Sequence, residues 1–133
     1  MIKQIVLASM LAMTYINASH AQSTSLFIVI SEATWCKYCK ANGERIHSLI
    51  DEYKIDKQII VLSNDLSDEA TKSKSLIQLE KMGLADYMTN KKSTGVVYVF
   101  NAETKKVMDN FPIKLESDVI VKRLTKNLDK SKS

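Results

Sequence analysis

Cysteine, histidine and proline are all scarce in this chain, and each scarcity excludes something. With only two cysteines, Cys36 and Cys39, a four-cysteine zinc site has no second pair to close it, and His47 is the one histidine after the first 21 residues. A haem-attachment CxxCH is excluded because Lys40 follows Cys39. The apolar stretch from Ile5 to Ile16 falls short of the ~20 residues of a membrane span. Basic residues gather near the C-terminus at Lys122, Arg123, Lys126, Lys130 and Lys132, but no aromatics interleave them. They read as a solvated helix face and tail, so no nucleic-acid partner is expected. The single proline is Pro112.

What is present describes one globular domain behind a leader. The chain has 133 residues, 45% of them hydrophobic, with both charge signs well represented. Lys3, the apolar run and the small residues Ser19 and Ala21 have the layout of a secretory signal peptide, residues 1–21, cleaved before Gln22. A periplasmic or secreted location follows, with no membrane attachment after cleavage. An uncleaved anchor or a buried helix is the competing reading of the same residues. The expected mature domain, 22–133, is large enough to bury about two thirds of its unfolded surface, so a structural disulfide is not required. In an exporting compartment, however, two cysteines can form and keep one.

The remaining chain alternates strand and helix signals. Leu26 to Ile30 is a continuous apolar, β-branched run that suits a strand covered on both faces. Cys39, Ile46, Leu49, Ile50 and Tyr53 then recur at helical spacing, predicting a helix from about Cys36 to Tyr53 that Asn42-Gly43 weakens locally. Gln58 to Ser63 reads as a second strand, and Asp65 or Ser67 as the cap of a helix running toward Met82 and ended by Gly83. Leu84 to Thr94 has no clear pattern. Val96 to Phe100 is a third strand, paired through Asn101 to Lys105 with a weaker fourth around Lys106 to Asn110. A last helix spans about Glu116 to Leu128. The expected fold is α/β in the order βαβαββα, a mixed four-stranded sheet with helices on both faces.

The chemistry lies in Trp35-Cys36-Lys37-Tyr38-Cys39-Lys40, between the first strand and the first helix. Residues three apart at a helix start share a side and approach the spacing that a disulfide accepts. Cys36 would sit at the N-terminal end, where free N–H groups and the helix dipole favour a thiolate, with Lys37 adding positive charge. An ordinary thiol is only about 3% ionised at pH 7, and lowering its pKa by ~2 units, worth about 2.7 kcal/mol, makes the thiolate the main species. Cys39, a turn further in on the apolar side, would be kept protonated by burial until a mixed disulfide forms and then resolve it. An inert staple is the alternative, but so short a loop constrains the unfolded chain little. His47 reads as a surface residue.

A strand, then Trp-Cys-x-x-Cys-Lys, then an amphipathic helix resembles the thioredoxin superfamily, and the element order extends the likeness over nearly the whole mature chain. The resemblance implies dithiol-disulfide exchange with protein thiols or disulfides, an upstream redox partner protein, catalytic roles for Cys36 and Cys39, and no cofactor. It is a minimal version, without the N-terminal strand and helix of thioredoxin itself. Two positions depart from the pattern. Where family members carry a cis-proline before the third strand of this order, the chain has Thr94-Gly95; a non-proline cis bond costs about 2.5–4 kcal/mol, so Gly95 is expected to be trans and the substrate clamp altered. The buried acid of thioredoxin's catalytic strand falls on Ile30, which leaves proton handling at Cys39 to water or to Glu32. Tyr38 before the second cysteine resembles exported reductases and isomerases more than thioredoxin. Trp35, Lys37, Tyr38, Glu32, Thr94 and Gly95 are therefore the expected supporting residues, with reductase or isomerase-like exchange on exported proteins as the expected activity. A carrier of Cu(I) or another soft metal on Cys36 and Cys39, and a non-catalytic binding module of the same fold, are the competing readings.

Overall fold

Strand β1 (Leu26–Glu32) is the axis of the molecule because its side chains are apolar on both faces. A computed structural model describes residues 23–133, and the expected signal peptide, 1–21, lies outside them. After β1 come α1 (Lys37–Tyr53), β2 (Ile59–Asp65), α2 (Glu69–Lys81), the one-turn α3 (Ala85–Met88), β3 (Val96–Asn101), β4 (Val107–Pro112) and α4 (Ser117–Ser131). The expected order holds, with α3 added in the segment that carried no pattern. The strands lie in the order β2-β1-β3-β4, β1 parallel to β2 and antiparallel to β3, β3 antiparallel to β4.

The strand alternation sorts the core into two layers. Leu26, Ile28 and Ile30 point to one face, where Ile46 and Ile50 of α1 and Ile120, Leu124 and Leu128 of α4 cover them. Phe27 and Val29 point to the other, against Leu79 of α2 and Leu84 and Met88 around α3. Helix α1 runs unbroken through Asn42-Gly43.

Two local assignments are corrected. Asp65 and Ser67 do not cap α2: Asp65 Oδ1 accepts from the backbone N–H and the hydroxyl of Ser67, so the pair satisfies itself. The cap is Asp68, whose carboxylate accepts from Thr71 N–H while the Thr71 hydroxyl accepts from Asp68 N–H, a reciprocal capping box. Gly83, at φ +75°, ends the helix as expected. The last strand runs two residues past Asn110 to Pro112, and Met108 is an extra residue bulged between the pairs Val99–Asp109 and Phe100–Val107.

The bulged edge is tied to α4 by one charged cluster. Arg123 donates to both carboxylate oxygens of Asp109, at 3.0 and 2.5 Å, and Asn127 donates to the same carboxylate at 3.0 Å. Burial alone raises the Asp109 pKa, but the Arg123 and Asn127 bonds outweigh it and hold the carboxyl below its ordinary value. A group with a depressed folded pKa stabilises above its unfolded pKa, near 3.9, and that contribution is lost as pH falls through the folded value. Asp109→Asn is expected to cost about 1–2 kcal/mol at neutral pH, read from urea midpoints, and progressively less as pH falls below the ordinary carboxylate value of about 3.9. An equal loss at every pH would contradict the charge-based account.

Candidate active site

Because β3 is antiparallel to β1, the end of β1 and the start of β3 meet at one edge of the sheet, with Ser31 opposite Val96. The β1–α1 turn therefore faces the segment entering β3. Gly95 is fastened there: its N–H donates to Ser31 O at 2.7 Å, and its carbonyl accepts from Ile113 N–H at 3.0 Å. Buried Ser31 is held in turn by Asn64, whose amide donates to its hydroxyl at 2.7 Å. Arg45 fixes the far side of Ile113, donating to the carbonyls of Ile113 and Leu115 at 2.9 and 3.0 Å and to Ser117 Oγ at 2.8 Å.

Cys36 is the N-cap of α1. Its backbone is extended, at φ −78° and ψ 118°, and its Sγ accepts the N–H of Cys39 at 3.2 Å, the bond that a serine or aspartate cap ordinarily provides. Its carbonyl takes the first helical bond, from Lys40 N–H at 3.0 Å. The sulfur thus sits at the positive end of a 17-residue helix. Cys36 and Cys39 are disulfide-bonded, their α-carbons 5.2 Å apart.

The expected difference in shelter is reversed. Cys36 is 5% exposed, whereas Cys39 is partly exposed and lines an open cleft with Glu32, Thr34, Lys40, Asp65 and Ser67. The reason is the opposite wall: a β-carbon added to Gly95 would lie 3.4 Å from Tyr38 Cβ and 3.6 Å from Cys36 Sγ, so the loop entering β3 packs directly over the first sulfur. Exposure thus favours Cys39, while the helix cap, with its N–H directed at Sγ, distinguishes Cys36.

The supporting residues divide. Trp35 (59% exposed) and Tyr38 (54% exposed) flank the pair, with Lys114 Nζ 5.5 Å from the Tyr38 ring centre. Lys37 is exposed on the first turn of α1. Gly95 has φ +74°, and the described residues contain no cis peptide, so the bond before it is trans as expected; both its backbone groups are used inside the fold. Thr94, half-buried, leads into it.

Glu32 is not alone. Its carboxylate accepts from Ser63 Oγ at 2.8 Å and lies 2.6 Å from His47 Nε2. His47, read from the sequence as a surface residue, is half-buried and paired. The signal that finds this pair is the alternation of β1: Ile28 and Ile30 face α1, so Glu32, two residues on, faces it as well. The methionines that a soft-metal site would draw on lie elsewhere. Met88 and Met82 belong to the α2–α3 layer and Met108 to the α1–α4 layer, and none lines the cleft at Cys39.

No protein-family profile matches the chain, and no curated protein sequence does. Solved structures do. The chain is similar to a thioredoxin from Fasciola hepatica (TM-score 0.51, 13% identity, 79% of this chain and 83% of that one). It is also similar to thioredoxin-2 of the malaria parasite, described as a component of its protein secretion machinery (TM-score 0.51, 16% identity, 79% and 85%). A third is DsbF from MTB, solved in mixed oxidised and reduced forms (TM-score 0.53, 10% identity, 79% and 82%). The fold is thioredoxin-like, and the Cys36–Cys39 pair stands at disulfide distance in a CxxC arrangement.

Proposed function

We propose that the protein is a thiol-disulfide oxidoreductase acting on exported proteins, in the reductive or isomerising direction. The observation that carries the reading is the capping bond from Cys39 N–H to Cys36 Sγ at the start of α1. A sulfur in that position is stabilised as an anion by a directed N–H and by the helix dipole. Reduced Cys36 is then the attacking thiolate. It displaces one sulfur of a client disulfide and forms a mixed disulfide with the other; Cys39 attacks Cys36 Sγ, the client's second sulfur leaves as a thiol, and the Cys36–Cys39 bond is restored.

The surroundings support a polypeptide client. Exposed Trp35, the residue before Cys36, lines a groove together with Leu66, Leu76 and Met88 and with the charged residues Asp68, Glu69, Lys72 and Lys91, a mixed apolar and charged surface that suits a polypeptide. Gly95 places no side chain over Cys36 Sγ, which leaves the approach to a mostly covered sulfur as wide as the loop allows.

The test is dithiothreitol-driven reduction of insulin together with equilibration of the pair against glutathione. The reading expects turnover, and a potential nearer the reducing end of the family range, about −270 mV, than the strongly oxidising end, about −120 mV. A strongly oxidising potential would reverse the assigned direction, and absence of turnover would remove the enzymatic reading.

A further inference from the structure

We infer that the outer edge of β2 is a pairing surface for a second copy of this chain, joined antiparallel about Val61 so that the two sheets become one. The edge strands of the sheet are β2 and β4, and they differ in kind. β4 carries the Met108 bulge, the charged Asp109 and a terminal proline, Pro112, each of which discourages pairing at an edge. β2 has no bulge, proline or charge from Ile59 to Asn64, and its Ile60, Val61 and Leu62 are only partly buried. Among the described residues no strand lies beyond it. The ladder shows which backbone groups face outward. Leu26 N–H donates to Gln58 O and Leu66 N–H to Glu32 O, while Leu26 stands opposite Ile59 and Glu32 opposite Asp65. In a parallel ladder of that phase Ile59, Val61, Ser63 and Asp65 turn their own N–H and C=O groups away from β1. Asp65 N–H accordingly donates to Ser75 Oγ of α2, at 2.9 Å, which leaves the groups of Ile59, Val61 and Ser63 for a partner strand.

The strand is complementary to itself, and that selects a second copy over an unrelated strand. Centred on Val61, antiparallel pairing sets Val61 against Val61, Ile60 against Leu62, Ile59 against Ser63 and Asn64 against Gln58, and it brings Asp65 to the exposed Lys57 of the other copy. Each copy then donates its Ile59, Val61 and Ser63 N–H groups to the Ser63, Val61 and Ile59 carbonyls of the other. Opposed residues share a face, so apolar side chains meet at the centre and opposite charges at both ends. Centring the pair on Leu62 would instead set Asp65 against Ile59 and Asn64 against Ile60. The resulting contact is isologous and closes as a two-fold dimer. Cys39 lies at the Asp65 end of β2, so the two-fold leaves the two disulfides at opposite ends of the joined sheet, both open to clients.

A contact of this length falls below the ~1,200 Å² of a standard interface, so a weak dimer is expected. Sedimentation equilibrium of the oxidised full chain should pass from the mass of one chain toward that of two between about 10 μM and 1 mM. Over the same range amide exchange at Ile59, Val61 and Ser63 should slow about fivefold or more, while Ile60 and Leu62, bonded to β1, are protected throughout. Val61→Lys opposes two ammonium groups on the two-fold and is expected to keep the mass of one chain. Lys57→Glu sets like charges at both ends and should weaken association about tenfold at low salt, with Asp65→Lys in the same chain restoring most of it. Should Val61→Lys fail to fold by circular dichroism, Lys57→Glu and the exchange rates decide. The mass of one chain at every concentration overturns the inference. Free exchange of the outward amides would then indicate an edge kept for a client strand, and constant protection an edge covered by residues 1–22. A dimer whose outward amides stay unprotected, or that Lys57→Glu leaves intact, overturns it as well. None of these readouts involves sulfur chemistry, so their failure leaves the proposed exchange activity untouched.

Discussion

Replacing Cys36 by serine is expected to abolish disulfide turnover, by at least about a thousandfold, whereas replacing Cys39 by serine should stall the protein as a covalent adduct with its client. The two outcomes differ because the positions differ in the fold. Cys36 is the cap of α1, and a serine there preserves the capping bond, so Cys36→Ser removes the chemistry while leaving the helix start intact. A hydroxyl does not form a stable bond with the client's sulfur, so no adduct accumulates at position 36. With Cys39→Ser the attacking sulfur remains, but nothing returns to break the mixed bond. Mass spectrometry of non-reduced samples checks both variants: a client adduct through Cys36 is expected to dominate on Cys39→Ser, and far less adduct is expected on Cys36→Ser, where only the Cys39 thiol is left. Equal client retention by both variants and by the wild type would instead identify a binding module that does not use its sulfurs.

Gly95→Pro, which introduces the residue that the family resemblance leads one to expect there, is expected to destabilise this chain by about 3 kcal/mol or more. Gly95 sits at φ +74°, and proline is confined near −65°. Its N–H donates to the carbonyl of Ser31 at 2.7 Å, a bond proline cannot make, and that carbonyl would be left unpaired beside buried Ser31. A loss of this size lowers the melting temperature of a domain of this length by roughly 10–20 °C. Gly95→Ala is the milder control. Its β-carbon would make ordinary contacts with Tyr38 and Cys36 Sγ, so the cost is backbone strain of about 1–2 kcal/mol. Because that methyl group would stand over the sulfur, attack by Cys36 should also slow. A Gly95→Pro variant melting with the wild type would mean that the loop can adopt the arrangement from which this chain departs.

The two predictions mark where the sequence is legible and where it is not. Strands β1 and β3 are readable because LFIVI and VVYVF are short continuous runs rich in β-branched residues, and helix α1 because its Ile46–Ile50 stripe recurs at helical spacing; the burial of all three follows. Asp65 and Ser67 read as the candidates for the α2 cap, and only the folded backbone shows that they satisfy each other and leave the cap to Asp68. The single turn of α3 is too short for any period to declare it. At the site, the position of Cys36 at the helix start is local and therefore readable. Its cover is not, because Gly95 reaches it across 59 residues of chain through strand pairing. The Glu32–His47 pair lies between these cases: strand alternation places Glu32 beneath α1, but His47 falls off the apolar stripe and looks exposed until the sheet is built beneath it.

One claim underlies the whole account: a helix N-terminus makes the sulfur of Cys36 more acidic than that of an ordinary cysteine. The direct measurement is the rate of Cys36 alkylation by iodoacetamide in the reduced Cys39→Ser variant as a function of pH. The account predicts that the rate reaches half its maximum well below about pH 8.5, the ordinary thiol value, and that the fully reduced wild type modifies at Cys36 before Cys39. A rate that rises only around that ordinary value, with both cysteines of the wild type reacting alike, would contradict it.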